Sequence, residues 1–182
     1  MTTATAGTEI EAGTWTIDPV HSEASFAVRH LMSKVRGNFT ELAGTVVTTG
    51  DILASQVSVS IASASITTHN DQRDAHLRSA DFFDPDRGGE LRFVSTGISA
   101  TDDGYLIAGE LTINGITRPV DLAAEFLGIQ ADAYGNTRLG AEATTSINRK
   151  DFDVNWNLPL DGGTFLVGDK VDITLAVQAV KA

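Results

Sequence analysis

The stretch VDITLAVQAV, Val171–Val180, places Val171, Ile173, Leu175 and Val177 at every second position, with small or polar residues between them. A β-strand turns successive side chains to opposite faces, so this alternation describes a strand with one apolar face and one wetter face. The pattern recurs upstream. VSVSIASASI sets Val57, Val59 and Ile61 against Ser58, Ser60 and Ala62. SFAVRHL sets Phe26, Val28 and His30 against Ala27 and Arg29. LRFVST, YLIAGELTI, PVDLAAEF and LGAEATTSI are further candidate strands, and the turn signals TTGD, TDDG, NGITRP, DAYGN and DGG fall between such segments. About eight strands joined by short turns predict an all-β domain, an antiparallel barrel or sandwich. A barrel of that size either fills its interior with side chains or holds one small ligand, and periodicity does not choose between them.

The 182 residues suit one domain with a sizeable core. A net charge of -11 excludes nucleic acid as a partner, because phosphate binding needs a basic patch, and it opposes adhesion to an anionic membrane. There is no cysteine and hence no thiol chemistry. The opening MTTATAGTEIEAG lacks the basic start and apolar run of a signal peptide, and no segment has the roughly 18 apolar residues of a membrane span. The expectation is a disordered lead over residues 1–13, a single domain over 14–182, a cytoplasmic location and no stable membrane insertion.

Helical signals are few. In HNDQRDAHLRSADFFD, His69–Asp84, Thr68 or Asn70 can cap a helix, and Asp71 and Asp74 suit its first turn. Asp74 with Arg78 is spaced as an i,i+4 pair, Leu77 with Phe82 or Phe83 can anchor the segment, and Asp84-Pro85 ends it. This predicts a short helix near 70–80 over one end of the barrel. HLMSKV, His30–Val35, is a second helical candidate.

The chemistry-bearing residues support no catalytic centre. If both lie on one helix, His69 and His76 are about 10 Å apart along its axis, too far to share one metal, and a site would need His21 or His30 from elsewhere. No H-E-x-x-H or G-x-S-x-G occurs, and the neighbours in HSEAS, His21–Ser25, point to opposite faces of a strand. The glycines of DRGGE and DGGTF lack phosphate-loop spacing and read as turn residues. His30 shares a face with Phe26 and Val28, which makes it either a satisfied core histidine or a polar group at the mouth of an apolar cavity. Arg36 is either a solvated surface residue or a donor to a phosphate or carboxylate.

Six stretches in order carry a resemblance to a known family: WTIDPVHSEASFAVRHL (Trp15–Leu31), VRGNFTELAGTV (Val35–Val46), THNDQRDAHLRSADFFD (Thr68–Asp84), GELTINGITRPV (Gly109–Val120), INRKDFDVNWN (Ile147–Asn157) and LVGDKVDITL (Leu166–Leu175). The chain resembles the YceI-like family of lipocalin-like, polyisoprenoid-binding proteins. The resemblance implies an elongated eight-stranded antiparallel barrel, closed at one end, with a long apolar pore for an isoprenoid or related amphiphile. It implies no catalytic residue, and since many members pair as dimers a homodimer is one assembly to expect; no cofactor and no metal are expected. A tube gains affinity with length, at about 0.8 kcal/mol per buried methylene. One departure stands out: Asp153 occupies a place where the family usually has glycine, which puts the local turn in question.

On this reading the apolar wall comprises Phe26, Val28, Phe39, Val46, Val59, Ile61, Phe93, Leu111, Ile113, Leu122 and Phe126. The polar head is assigned to His30, Arg36, His69 and His76. The expected function is non-enzymatic binding, transport or storage of a polyisoprenoid. The alternatives are a hydrolase of a lipid-like ester or a metal-dependent enzyme at the barrel mouth, and a filled barrel with only a structural role.

Overall fold

A computed structural model of the chain describes residues 8–182. Its strands are β1 (Gly13–Ile17), β2 (Glu23–His30), β3 (Ser33–Phe39), β4 (Leu42–Thr48), β5 (Gln56–Ala62), β6 (Ile66–Thr67), β7 (Glu90–Thr101), β8 (Gly104–Ile113), β9 (Ile116–Ala131), β10 (Thr137–Asn148) and β11 (Val167–Lys181). Among the described residues there is one α-helix, α1, spanning Asp71–Leu77. All the strand pairings are antiparallel, and the ring β1-β4-β5-β7-β8-β9-β10-β11 closes on itself through the pairing of Trp15 with Lys181 and Ile17 with Ala179. The fold is therefore a closed eight-stranded barrel. Three of its staves are interrupted, with β2 continuing β1, β3 continuing β4, and β6 continuing β5 toward the other end.

Short two-residue turns explain the simple up-and-down order. Asn114 and Gly115 both have positive φ (53° and 73°) between Ile113 and Ile116, the backbone that an Asn-Gly hairpin turn requires. HLMSKV is not helical. His30 pairs with Ser33 across a tight turn in which Leu31 has φ 55°. A six-residue segment supplies too few helical bonds to offset nucleation, whereas the flanking alternation feeds a hairpin directly.

The lead expected over 1–13 falls partly on residues 1–7, outside the described residues. Residues 8–12 follow the barrel: Ile52 N–H donates to the Thr8 carbonyl at 2.6 Å, and Ile10 N–H donates to Gly50 at 3.2 Å. β1 itself begins at Gly13. This end of the barrel is plugged by Trp15, which has no exposed surface, with Ile17, Val46, Leu139 and Ala179 in the same core. The Trp15 indole N–H donates to Thr48 Oγ1 at 2.9 Å, so the ring's one polar group is satisfied where it is buried.

The opposite end is covered by α1 and the turns after it. Asn70 is the N-cap, accepting from Arg73 N–H at 2.9 Å. The helix stops at Arg78, well before Asp84-Pro85. The Asp74–Arg78 pair expected from i,i+4 spacing is replaced by two separate anchors. Asp74, 4% exposed, accepts from the Thr68 amide (2.8 Å) and hydroxyl (2.5 Å). The Arg78 guanidinium donates to the carbonyls of Ala64 and Ile66 at 2.8 and 2.9 Å. Burial pushes the Asp74 carboxyl up, but the Thr68 and Thr67 hydrogen bonds and the nearby Arg78 charge outweigh it, leaving its pKa below the usual carboxylate value. The buried Thr68 amide and the part-buried Ile66 carbonyl compete successfully for these side chains, since leaving either unpaired costs more than a surface ion pair returns.

Asp153 keeps the turn that its presence put in question. It ends a short 3-10 helix, Arg149–Phe152, at φ 60° and ψ 23°, the left-handed conformation that glycine enters most easily. Aspartate tolerates this region because its short side chain bonds locally. Here it accepts from Asn155 Nδ2 and from Arg87 Nη1, both at 3.1 Å.

Candidate ligand-binding site

The alternating faces of the staves converge on an interior cavity of about 150 Å³ in the half of the barrel nearer α1. Its wall is almost wholly hydrocarbon: among the lining residues only Ser25, Thr145 and Arg149 carry polar side-chain atoms. A cavity so lined offers hydrocarbon contact and few hydrogen-bonding partners. Nine of the expected wall residues line it, namely Phe26, Val28, Phe39, Val59, Ile61, Phe93, Leu111, Ile113 and Leu122.

Val46 and Phe126 do not line it. Val46 pairs with Trp15 and belongs to the plug at the closed end. Phe126 faces Ala141 beside the bulge that looses Leu127 from the ladder, and it packs into the core below the cavity. Alternation assigns a face to each residue but not its height along the barrel, which is why these two inward residues fall outside the cavity.

The cap contributes wall that strand periodicity did not reveal. Leu77, Phe82 and Phe83 descend from α1 and its following turn, and Phe152, Val154 and Val167 close the same end. Asn114 holds these pieces in register: its Nδ2 donates to the carbonyls of Phe82 (2.8 Å) and Phe152 (3.2 Å), and its Oδ1 accepts from Asp84 N–H. Leu77 and the two phenylalanines were legible as anchors of the helix, but not as cavity wall.

Arg149 is the least expected lining residue, at 4% exposure. Its guanidinium donates to four backbone carbonyls, those of Val154 (2.6 Å), Gly168 (2.8 Å), Trp156 (3.0 Å) and Val167 (3.4 Å), while Asp169 stands 3.9 Å away. Burial lowers its pKa, and the Asp169 charge pulls partly against that. The sequence set Arg149 beside a second cation, Lys150, within the motif INRKDFDVNWN and gave no sign of which of the two turns inward.

A second cavity, of about 460 Å³, forms a vestibule between α1, the upper part of β2 and β3, and Trp156. It shares Phe26, Val28, Leu77, Phe82 and Val167 with the interior cavity, so the two adjoin at these side chains. The four residues assigned to a polar head divide into two pairs. His30 and His76 both line the vestibule, with Arg73 and Gln72 beside them. Arg36 and His69 lie instead in a groove with Glu23, Lys34 and Asp172. His76 is held edge-on to Trp156 and Phe82, with ring centroids 4.7 and 5.1 Å away, and its Nε2 meets Asp81 Oδ2 at 2.8 Å. The hydroxyls of Ser33 and Ser79 reach the carbonyls of His30 and His76 rather than their rings. Among the described residues, no cluster of three or more acidic or imidazole groups is arranged to hold a metal.

A family model described as a YceI-like domain matches residues 15–179, nearly the whole barrel. The chain belongs to the YceI-like family. It is 35% identical over 163 residues to Protein YceI of Escherichia coli, covering 88% of this chain and 82% of that protein. Against a UPF0312 protein of Ectopseudomonas mendocina the identity is 35% over 164 residues, covering 88% and 83%. BcnA of Burkholderia cenocepacia superposes with a TM-score of 0.76 at 21% identity, covering 89% of this chain and 98% of that one. A polyisoprenoid binding domain from Saccharophagus degradans superposes with a TM-score of 0.66 at 12% identity, over 94% and 100% of the two chains. These two structures share the barrel with this YceI-like domain.

Proposed function

We propose that this YceI-like protein binds a polyisoprenoid or a similar long-chain amphiphile non-enzymatically, with the chain in the barrel interior and the head in the vestibule. The observation that carries this reading is the apposition of a hydrocarbon-lined cavity and a larger amphipathic one across a partition of side chains. Membership of the YceI-like family and the name of the Saccharophagus degradans domain support the ligand class. An interior of about 150 Å³ is short for a long chain. The side chains that must yield are Leu77, Phe82 and Phe83, because they hang from a cap held by hydrogen bonds rather than from a strand ladder. Each methylene that enters adds about 0.8 kcal/mol, which offsets the rotamer changes at the partition within a few carbons.

The two tryptophans give a direct test. Trp156 lines the vestibule, whereas Trp15 is sealed in the plug. Adding geranylgeraniol should change the tryptophan fluorescence saturably. That change should persist in Trp15→Phe and vanish in Trp156→Phe. A response carried by Trp15, or no response together with no binding by calorimetry, would remove the assignment.

A further inference from the structure

Resting on that reading, we propose that the vestibule selects amphiphiles with an uncharged, hydrogen-bonding head and discriminates against anionic heads such as diphosphates. Two of the vestibule's basic groups, Arg73 and His76, are already paired within the fold. Arg73 donates through Nε to Thr68 Oγ1 (2.7 Å) and through Nη2 to the Thr68 carbonyl (2.9 Å). The same Thr68 hydroxyl donates onward to the buried Asp74 carboxylate, so the Arg73 charge is balanced through one shared group. His76 faces Asp81 at 2.8 Å. An anion entering here would lose its hydration close to Asp74 and Asp81, the carboxylates that Thr68 and His76 contact, and only the Arg73 N–H groups not used on Thr68 would offset that repulsion.

The groups left over suit a different head. Among the described residues, the His30 ring and the Gln72 amide line the vestibule without a hydrogen-bonding partner, and Asn70 uses only its Oδ1, leaving its amide N–H groups available. Together they offer both donors and acceptors with no formal charge required. Trp156 and Phe82 supply flat apolar surface on the same cavity. A hydroxyl, carbonyl or amide head is satisfied by such a set, whereas two or more negative charges are not.

The test is calorimetry of the full chain with geranylgeraniol and with geranylgeranyl diphosphate, which share one hydrocarbon chain. The alcohol is expected to bind at least about tenfold more tightly, a difference of about 1.4 kcal/mol. Equal or tighter binding of the diphosphate would overturn the selectivity while leaving the pore reading intact. Failure of both to bind would sink the pore reading and this proposal with it. The double variant His30→Phe, Gln72→Leu should weaken the alcohol about tenfold. It should leave squalene, a chain with no head, within about twofold. An unchanged affinity for the alcohol would refute the placement of its head.

Discussion

Replacing Arg149 by methionine is expected to destabilise the protein by about 3–5 kcal/mol, the range for breaking a buried, hydrogen-bonded ionic group. The cost arises less from the lost charge than from what it leaves behind. Val154, Trp156, Gly168 and Val167 all direct carbonyls at the guanidinium, and methionine supplies no donor to any of them. Those carbonyls belong to two segments that meet at the cap, so the loss falls on the attachment of residues 154–156 to the start of β11. For a chain of this size the melting temperature should fall by roughly 10 °C. Lysine should not rescue it, because a single ammonium cannot reproduce the guanidinium's spread of donors. Lys150→Met, at the exposed neighbouring position, should stay within about 0.5 kcal/mol of wild type. Equal effects at 149 and 150, measured by urea denaturation, would mean that Arg149 does not staple the cap.

Leu111→Trp should abolish measurable binding of a prenyl chain, with a loss of more than about a hundredfold, equivalent to about 2.7 kcal/mol. Leu111 lines the cavity and touches both apolar clusters, the large one reaching the plug and the small one of Phe93, Leu122 and Ala143. An indole there occupies the middle of a space of only about 150 Å³ and blocks any chain entering from the vestibule. Overpacking carries a stability cost of about 1–3 kcal/mol, partly offset here because the ring fills space already open. The discriminating readout is the pairing of lost affinity with retained folding, by calorimetry and thermal melting on the same sample. Undiminished binding in a folded variant would place the ligand elsewhere.

The barrel was legible because alternation is a direct physical consequence of the pleat. Val171, Ile173 and Leu175 face the cavity as their spacing demands, and so do Val59 and Ile61. Closure, and the splitting of three staves into two strands each, depend on which strands pair, and side-chain period carries no information about that. The helix was legible from Asn70 and its acidic first turn, but its anchoring was not. Thr68 and the carbonyls of Ala64 and Ile66 took Asp74 and Arg78 away from each other.

The site was legible in its wall and much less so in its polar rim. His30 followed from its face on β2, and His76 was brought beside it by the cap. Arg36 sits in a separate groove because it is one residue out of phase with the inward-facing positions of β3, with Val35 turned to the vestibule instead. His69, at φ 59° just before the N-cap, leaves the helix direction altogether. Arg73 and Gln72 gave no signal in sequence, since a helix's polar residues look alike until a cavity opens beside some of them.

The most direct test of a lipid-holding interior is mass spectrometry of an organic extract from the purified full chain, run beside Leu111→Trp purified identically. A prenyl lipid near one-to-one with wild type and absent from the variant is the predicted result. Identical extracts from both proteins, or a wild type that is empty and also takes up no geranylgeraniol, would contradict it.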